Sequence, residues 1–336
     1  MIIILIVLAT VINKLLHWSD ELTISQILPY TLAMVLTYFL SSQLNKKDLK
    51  LIVWFILIET IVVCFQYFIG INTFFSSLDS FNETLLNNPN LMYNKRPLGL
   101  SENSSIIAYK LLIAYLILDY LKLKNTTYTI VRGILILGIF FTFNRTTFLV
   151  FIIYTLLSLI KIYGPVINNL LDHKINLKQL KYLIIGSVSV IIVTTIIFFY
   201  FGDIYSQLTR GKSEGVSLSG RDSIWKGFID FIYENPFFGN GSEKYYFQHN
   251  NKLTHAHNSF LEIIATHGIF IFLIYLYLVL RNINYLNVVF IILLIIYSMF
   301  QYGIFWGISL MDIILFKLLF FNTETEKLSE DKKAII

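Results

Sequence analysis

Cysteine is almost absent. The single residue, Cys64, lies inside an apolar run, so no intramolecular disulfide, CxxC pair or cysteine-built zinc set is possible. Charge is scarce as well. Asp, Glu, Lys and Arg make up 14% of the 336 residues against 56% hydrophobic, too little to solvate a soluble domain of this length. The net charge of +5 does not indicate a nucleic-acid partner, because the basic residues form short clusters between apolar runs and no basic, aromatic-studded face. There is no G-x-x-x-x-G-K-[ST], no HExxH, no nucleophile elbow and no clustered acidic pair of the kind that holds a divalent metal. Nucleotide hydrolysis and zinc or Ser-hydrolase chemistry have no support. Alternating ten-residue strands are missing, which excludes an outer-membrane barrel, and neither repeats nor low-complexity segments occur.

Long apolar runs are what the chain has instead. A helix rising about 1.5 Å per residue needs about 17 to 22 apolar residues to cross a bilayer. Such runs lie near 2–16, 23–41, 51–71, 105–121, 126–143, 146–163, 182–202, 259–280, 284–300 and 304–321. The expected fold class is all-α: a polytopic helical membrane protein of about ten transmembrane helices, one integral membrane domain over 1–336. The opening "MIIILIVLATVINKLL" lacks a basic n-region and a small-residue cleavage site, so it reads as a retained anchor, though a short one.

Basic residues orient these spans. With a cytoplasmic N-terminus, segments 45–50, 122–125, 161–181, Arg281 and the tail from 322 face inward and hold thirteen Lys and Arg. The short outward connections hold only Lys14 and Arg145, the positive-inside pattern. Two long connections, 72–104 and 203–258, then face outward, and the second is expected to be a structured extracytoplasmic loop. Within it, Ile224, Trp225, Phe228, Phe231 and Ile232 recur at helical spacing, with Asp222, Lys226, Asp230 and Glu234 mainly opposite. That pattern is an amphipathic helix ended near Pro236, which either rests on the outer interface or packs on the bundle.

This topology lets four stretches meet on one side: "NKRPLGLSENSS", "FTFNRTTF", the loop with "HAHN", and "FQYGIFWG". They bring Arg96, Arg145, Arg221, His255 and His257. Arg145 stands between two apolar runs with almost no loop, so its guanidinium either snorkels at the interface or grips an anion such as phosphate. "SFLE" at 259–262 matches a capping box, with Ser259 as N-cap and Glu262 reaching back to it. A helix starting there disfavours an imidazolium, so His257 is either a solvated loop histidine or a neutral proton acceptor. His255 is a secondary candidate, and His267 a helix histidine bonding a neighbouring backbone group. Glu59, Lys110 and Asp312, inside spans, mark either a transport path or an internal ion pair and a hydrogen-bonded carboxyl.

Together "FNRTTF", "GRDSIWKGFIDFIYENPFFGNG" and "HAHNSFLEIIATHGIFIFLIYLYL" resemble, in order and spacing, the O-antigen ligase and polysaccharide polymerase superfamily. The resemblance is close over roughly 140–280. It implies a bacterial inner-membrane glycosyltransferase with an extracytoplasmic active site. The donor would be an oligosaccharide on a polyprenyl diphosphate and the acceptor a glycan. No cofactor, nucleotide sugar or metal is implied, and other polysaccharide-assembly proteins are admitted as partners. Carried over by residue, Arg145 and Arg221 would hold the diphosphate, with Arg96 on a looser match, and His257 would activate the acceptor hydroxyl. A polymerase of capsule, exopolysaccharide or O-antigen repeat units is the leading expectation, and the abundant Ile, Lys and Asn of an AT-rich bacterial genome tilt toward it. A ligase onto a lipid, wall or protein acceptor is the close alternative. A lipid-linked oligosaccharide flippase is the alternative of another class, with its polar residues expected near the midplane.

Overall fold

The computed structural model describes residues 2–17, 24–75, 96–101, 103–121, 123–171, 184, 195, 221–249, 252–284, 287–301, 303–305 and 309–320. Its helices are α1 (Ile2–Leu16), α2 (Ile24–Gln43), α3 (Lys46–Ile69), α4 (Ser104–Leu121), α5 (Asn125–Phe141) and α6 (Arg145–Leu171), followed by α7 (Arg221–Glu234), α8 (Ser259–His267), α9 (Ile269–Arg281), α10 (Val288–Phe300) and α11 (Leu310–Phe320). A short antiparallel hairpin, β1 (Phe247–His249) with β2 (Lys252–Thr254), pairs Phe247 with Thr254 and is an addition to the all-helical expectation. The chain divides into two compact units, residues 1–51 with 218–336, and residues 52–217.

Helix α3 shows what kind of helix this is. Val53, Ile56, Val63 and Gln66 are buried, yet Leu51, Phe55, Ile58, Ile61, Phe65 and Phe68 form an exposed apolar stripe at three- to four-residue spacing. A helix apolar all round is stable only where its outer face meets hydrocarbon or protein. Among the described residues, α3 and α4 are by length and hydropathy the two helices able to cross a membrane, while α1, α5, α9 and α10 are shorter apolar helices. All but residues 184 and 195 of the run expected at 182–202, together with the segments 76–95 and 203–220 and the tail from 322, lie outside the described residues. The single span expected over 259–280 is two helices, broken at Gly268.

In the second unit α4 packs on α5 and α6. Gly138 lets α5 approach closely, because a Cβ there would stand 2.4 Å from the Thr60 methyl. Glu59 and Lys110 form an ion pair at 3.1 Å, and Glu59 also accepts from Ser101 Oγ at 2.7 Å. Of the two expectations for these charges, the internal ion pair holds. At the other end of α4, Tyr128 and Tyr154 donate to Asp119, and Arg132 donates to the Tyr115 and Tyr128 hydroxyls, tying α4, α5 and α6 together.

In the first unit α1 packs on α2 and α9, α11 on α2, and α8 on α7, α9 and α10. The polar end of α1 is stapled to the loop after α7. Asn13 Nδ2 donates to Phe238 O and Ser242 Oγ, both at 2.9 Å, and Lys14 pairs with Glu243 at 3.3 Å. Asp312 is a hydrogen-bonded carboxyl: it accepts from Phe305 N and Ser309 Oγ while Ser309 Oγ accepts from Asp312 N, closing the start of α11.

The break between α8 and α9 has a visible cause. The turn "PFFGNG" crosses it: Asn240 N donates to Ala265 O, Ser242 N to Thr266 O, and Ile269 N to Pro236 O. The last carbonyls of α8 and the first amide of α9 are thereby satisfied. Gly268 adopts φ 81° and ψ 171°, a region open essentially to glycine alone, and a Cβ there would lie 2.0 Å from Phe237 O. Gly268→Ala should lower stability by about 2–5 kcal/mol, from backbone strain plus overpacking. Unfolding of the detergent-solubilised protein by heat or denaturant checks this, and a wild-type midpoint would refute the lock.

Candidate functional site

The site of the first unit is built around one peptide. Ala256 is fully buried between the two histidines; its N–H donates to Glu262 Oε2 at 2.8 Å and its carbonyl accepts from Trp225 Nε1 at 2.7 Å. With that peptide pinned from α8 and α7, and His257 turned into the left-handed region at φ 50°, the two imidazoles stand with ring centroids 4.1 Å apart. Arg221, one turn before Trp225 on α7, donates from Nη1 to Phe300 O at 2.6 Å. The Gln301 side chain also acts on His257, raising its proton affinity. Ser259 Oγ fixes the same segment, donating to Gln301 O and accepting from Gly303 N and Ile304 N.

Helix α7 is placed by packing. Ile224 and Phe228 are buried against Ala256 and Ala265, and Tyr245 stacks on Phe231 at 3.8 Å. Gly227 admits Phe247, whose ring would lie 2.3 Å from any added Cβ. Of the two expectations for this amphipathic helix, packing on the bundle is the one realised. The cap of α8 is a correction. Asn258, not Ser259, is the N-cap, its Oδ1 accepting from Phe260 N and Leu261 N at 2.9 and 3.2 Å. Ser259 is spent on the Gln301–Ile304 segment, and Glu262 reaches Ala256 N in place of a cap amide. His267 Nδ1 bonds the Ser242 hydroxyl at 3.1 Å, far along α8 from the histidine pair.

Electrostatics keep both imidazoles neutral. Burial, then the charges of Lys244 and Arg221, push His255 down to about 4 from 6.5. Burial, then His255 and Arg221, push His257 down to about 3, with Gln301 acting the other way. A neutral ring presents a lone pair, so the pair can accept a proton from a hydroxyl. The surrounding cations and the amides at the start of α8 suit an anion.

The other two arginines belong to the second unit. Arg145 opens α6, after Phe143 at φ 50° and Asn144, whose Oδ1 caps Thr147 N at 3.0 Å. Asn144 Nδ2 also donates to Ser105 Oγ at the start of α4. Half-buried Arg96 begins the segment that leads into α4, where Gln66 brackets Gly99 through both its amide groups. The α5–α6 turn and the Arg96 segment therefore share one end of that unit. Arg221, His255 and His257 are brought together in the first unit, and Arg145 and Arg96 occupy one end of the second. Sequence reasoning missed Gln301, Lys244 and the pinning roles of Trp225 and Glu262. The i, i+4 spacing of Arg221 and Trp225, which puts both on one face of α7, was the available signal. Among the described residues no three His, Cys, Asp or Glu side chains converge as a metal site.

Comparison with known proteins gives one finding. Residues 130–276 match the family model described as O-antigen ligase, a segment that includes Arg145, Arg221, His255 and His257 and leaves Arg96 outside. No curated protein and no solved structure matches the chain.

The lowered proton affinity has a thermodynamic consequence. Between about pH 3 and 6.5 the unfolded chain binds more protons at His255 and His257 than the folded one, so the contribution of these two residues to stability falls as pH is lowered through that window. Replacing both by Gln should shrink the difference in unfolding midpoint between about pH 7 and about pH 4.5. An unchanged difference would mean that neither ring is held neutral.

Proposed function

We propose that this chain, which belongs to the O-antigen ligase and polysaccharide polymerase superfamily, is a multi-pass inner-membrane glycosyltransferase. It joins oligosaccharide repeat units carried on a polyprenyl diphosphate into a surface polysaccharide, a capsule, exopolysaccharide or O-antigen. On this reading the apolar helices form about ten spans of one membrane domain, 203–258 is its outward loop, and the reaction takes place at the extracytoplasmic face.

The observation that carries the reading is the pair of half-buried, neutral imidazoles held 4.1 Å apart beside Arg221 at the mouth of α8. The acceptor hydroxyl attacks the anomeric carbon of the donor glycan, and its proton passes to a ring nitrogen of His257. The new oxygen–carbon bond forms as the bond from the anomeric carbon to the phosphate oxygen breaks. That electron pair stays on the departing polyprenyl diphosphate, and configuration inverts. Arg145 and Arg221, with Arg96 in support, hold the diphosphate and stabilise its growing charge, so neither metal nor nucleotide is needed. Gln301, which raises the proton affinity of His257, favours arrival of the proton there. His255 stands behind as a second imidazole that disfavours early protonation of the first.

A ligase passing a finished glycan to a lipid, wall or protein acceptor is the second reading, favoured by the description of the matched family. Donor and arginines are the same in both. Purified protein incubated with polyprenyl-diphosphate oligosaccharide separates them. Longer glycans mark the polymerase, transfer to an added acceptor marks the ligase, and no covalent product favours a flippase.

In that assay His257→Ala should lower turnover by about 10²–10⁴-fold, the usual worth of a general base, with the protein still folded in the membrane. Full activity in this variant sinks the assignment. Arg145→Ala and Arg221→Ala should each raise the donor KM by about tenfold or more, the worth of one charge-assisted hydrogen bond.

A further inference from the structure

The matched family segment ends at residue 276, yet Arg221 is anchored on a residue beyond it. Phe300 closes α10, and two contacts bring it to α7. Its carbonyl accepts from Arg221 Nη1 at 2.6 Å, and its ring stands 6.4 Å from that of Trp225. A guanidinium is planar and rigid, so a carbonyl fixed on one Nη sets the direction in which the whole fork points. That carbonyl is held in turn by the connection from α10 to α11. Ser259 Oγ donates to Gln301 O at 3.2 Å and accepts from Gly303 N at 2.9 Å and from Ile304 N at 3.2 Å. At the far end Asp312 Oδ1 takes Phe305 N at 2.6 Å, with Phe305 in the left-handed region at φ 62°.

A hydroxyl has one proton to donate and two lone pairs, and Ser259 spends all three on this one segment from a position with no exposed surface. Its own helix makes no demand on it, because Asn258 caps α8. Ser259 also stands two residues after His257. One side chain thereby joins the backbone that carries a proton-accepting ring to the backbone that carries the anchor of the arginine.

Resting on the reading of this site as a lipid-diphosphate transferase, we propose that Ser259 is a positioning residue of the transfer site: through the Phe300 carbonyl it sets where Arg221 meets the donor diphosphate relative to His257. In an inverting transfer the attacking and departing oxygens lie on opposite faces of the anomeric carbon, so base and arginine must keep a set separation. Ser259 supplies that spacing from beneath, without touching substrate, and the 300–305 connection becomes a wall of the site that lies outside the matched segment.

The test uses the full-length protein in nanodiscs, with inorganic pyrophosphate as the binding probe. Ser259→Ala should weaken its binding by about three- to tenfold, through the lost aim of one charge-assisted contact. In an Arg221→Ala background the same change should cost less than about twofold, because the two residues act as one unit. Ser259→Thr, which keeps the hydroxyl, should restore most of the affinity. Ser259→Cys fills the same space with a much weaker donor and acceptor and asks the same question should the alanine variant not fold. A second readout needs no ligand. In NMR of protein carrying ¹⁵N-arginine, with Arg221→Lys assigning the signal, the Arg221 guanidinium should exchange its protons faster in Ser259→Ala or Ser259→Cys than in the wild type. Unchanged affinity in both variants, an equal loss with and without Arg221, or an Arg221 signal that ignores Ser259 overturns the proposal. Wild-type protein that shows this coupling to Arg221 yet makes no glycan product would refute the transferase reading and leave the positioning role standing.

Discussion

The rest of the site depends on the two hydrogen bonds that satisfy the Ala256 peptide. A buried backbone N–H or carbonyl left without a partner costs about 1–3 kcal/mol, so both ends of this peptide must be met by protein or water. Glu262 supplies one partner from within α8 and Trp225 the other from α7. Moving α7 away would therefore open the apolar contact of Ile224 and Phe228 and orphan the Ala256 carbonyl together. Because His255 and His257 flank that peptide, the spacing of the two rings is a consequence of how α7 docks on α8. Local backbone conformation, helix packing and the geometry of the histidine pair form one structure.

The same economy governs the loop between α7 and α8. It departs from the apolar bundle at Pro236, yet it is tied back at the α8–α9 break and at the polar end of α1. Glycines at 239 and 268 permit the first tie, because each takes a backbone conformation and an approach that a Cβ would forbid. Asn13 and Lys14 make the second, and Lys14 is nearly fully buried in doing so. The first helix is accordingly part of the scaffold under Lys244 and the hairpin, which gives its two polar residues a physical reason to end an otherwise apolar segment. Charges inside the apolar helices are spent in the same way. Glu59 with Lys110 holds the turn entering α4, and Asp312 closes the start of α11.

How much of this was legible in the residues varies by the type of signal. Apolar runs located α1 to α6 and α9 to α11 well, because composition alone carries that signal. Composition is blind to a break inside an apolar run. "IIATHGIFIF" reads as one span, and only the close approach of Phe237 to Gly268 reveals two helices. The cap of α8 was misplaced by one residue because Asn and Ser cap equally well, and tertiary contacts drew Ser259 to the Gln301–Ile304 segment. The direction taken by the amphipathic face of α7 was undecidable from periodicity, which shows that a helix has an apolar face and not what covers it. The histidine pair and Arg221 were visible as types in order. Lys244 and Gln301 were not, since a lone loop lysine and a glutamine at a helix end carry no pattern, and their importance lies in what they face.

Neutral histidines in a positive surround impose an order on any reaction they serve. Burial and neighbouring cations make a free imidazole here a poor base, which protects the site from capturing a solvent proton before substrate arrives. Linkage is reciprocal: an anion that strengthens proton binding is itself bound more strongly once the proton is in place. If His257 takes the acceptor proton, the new imidazolium lies beside a diphosphate whose charge has just grown. The products are then held together by the same field that kept the reactants apart. Release of the diphosphate and loss of the proton consequently favour each other, and the site returns to its neutral, anion-seeking state only when both have left. On the proposed reading, donor binding would assist the chemistry, and turnover would be tied to clearing the diphosphate lipid and the proton as a pair.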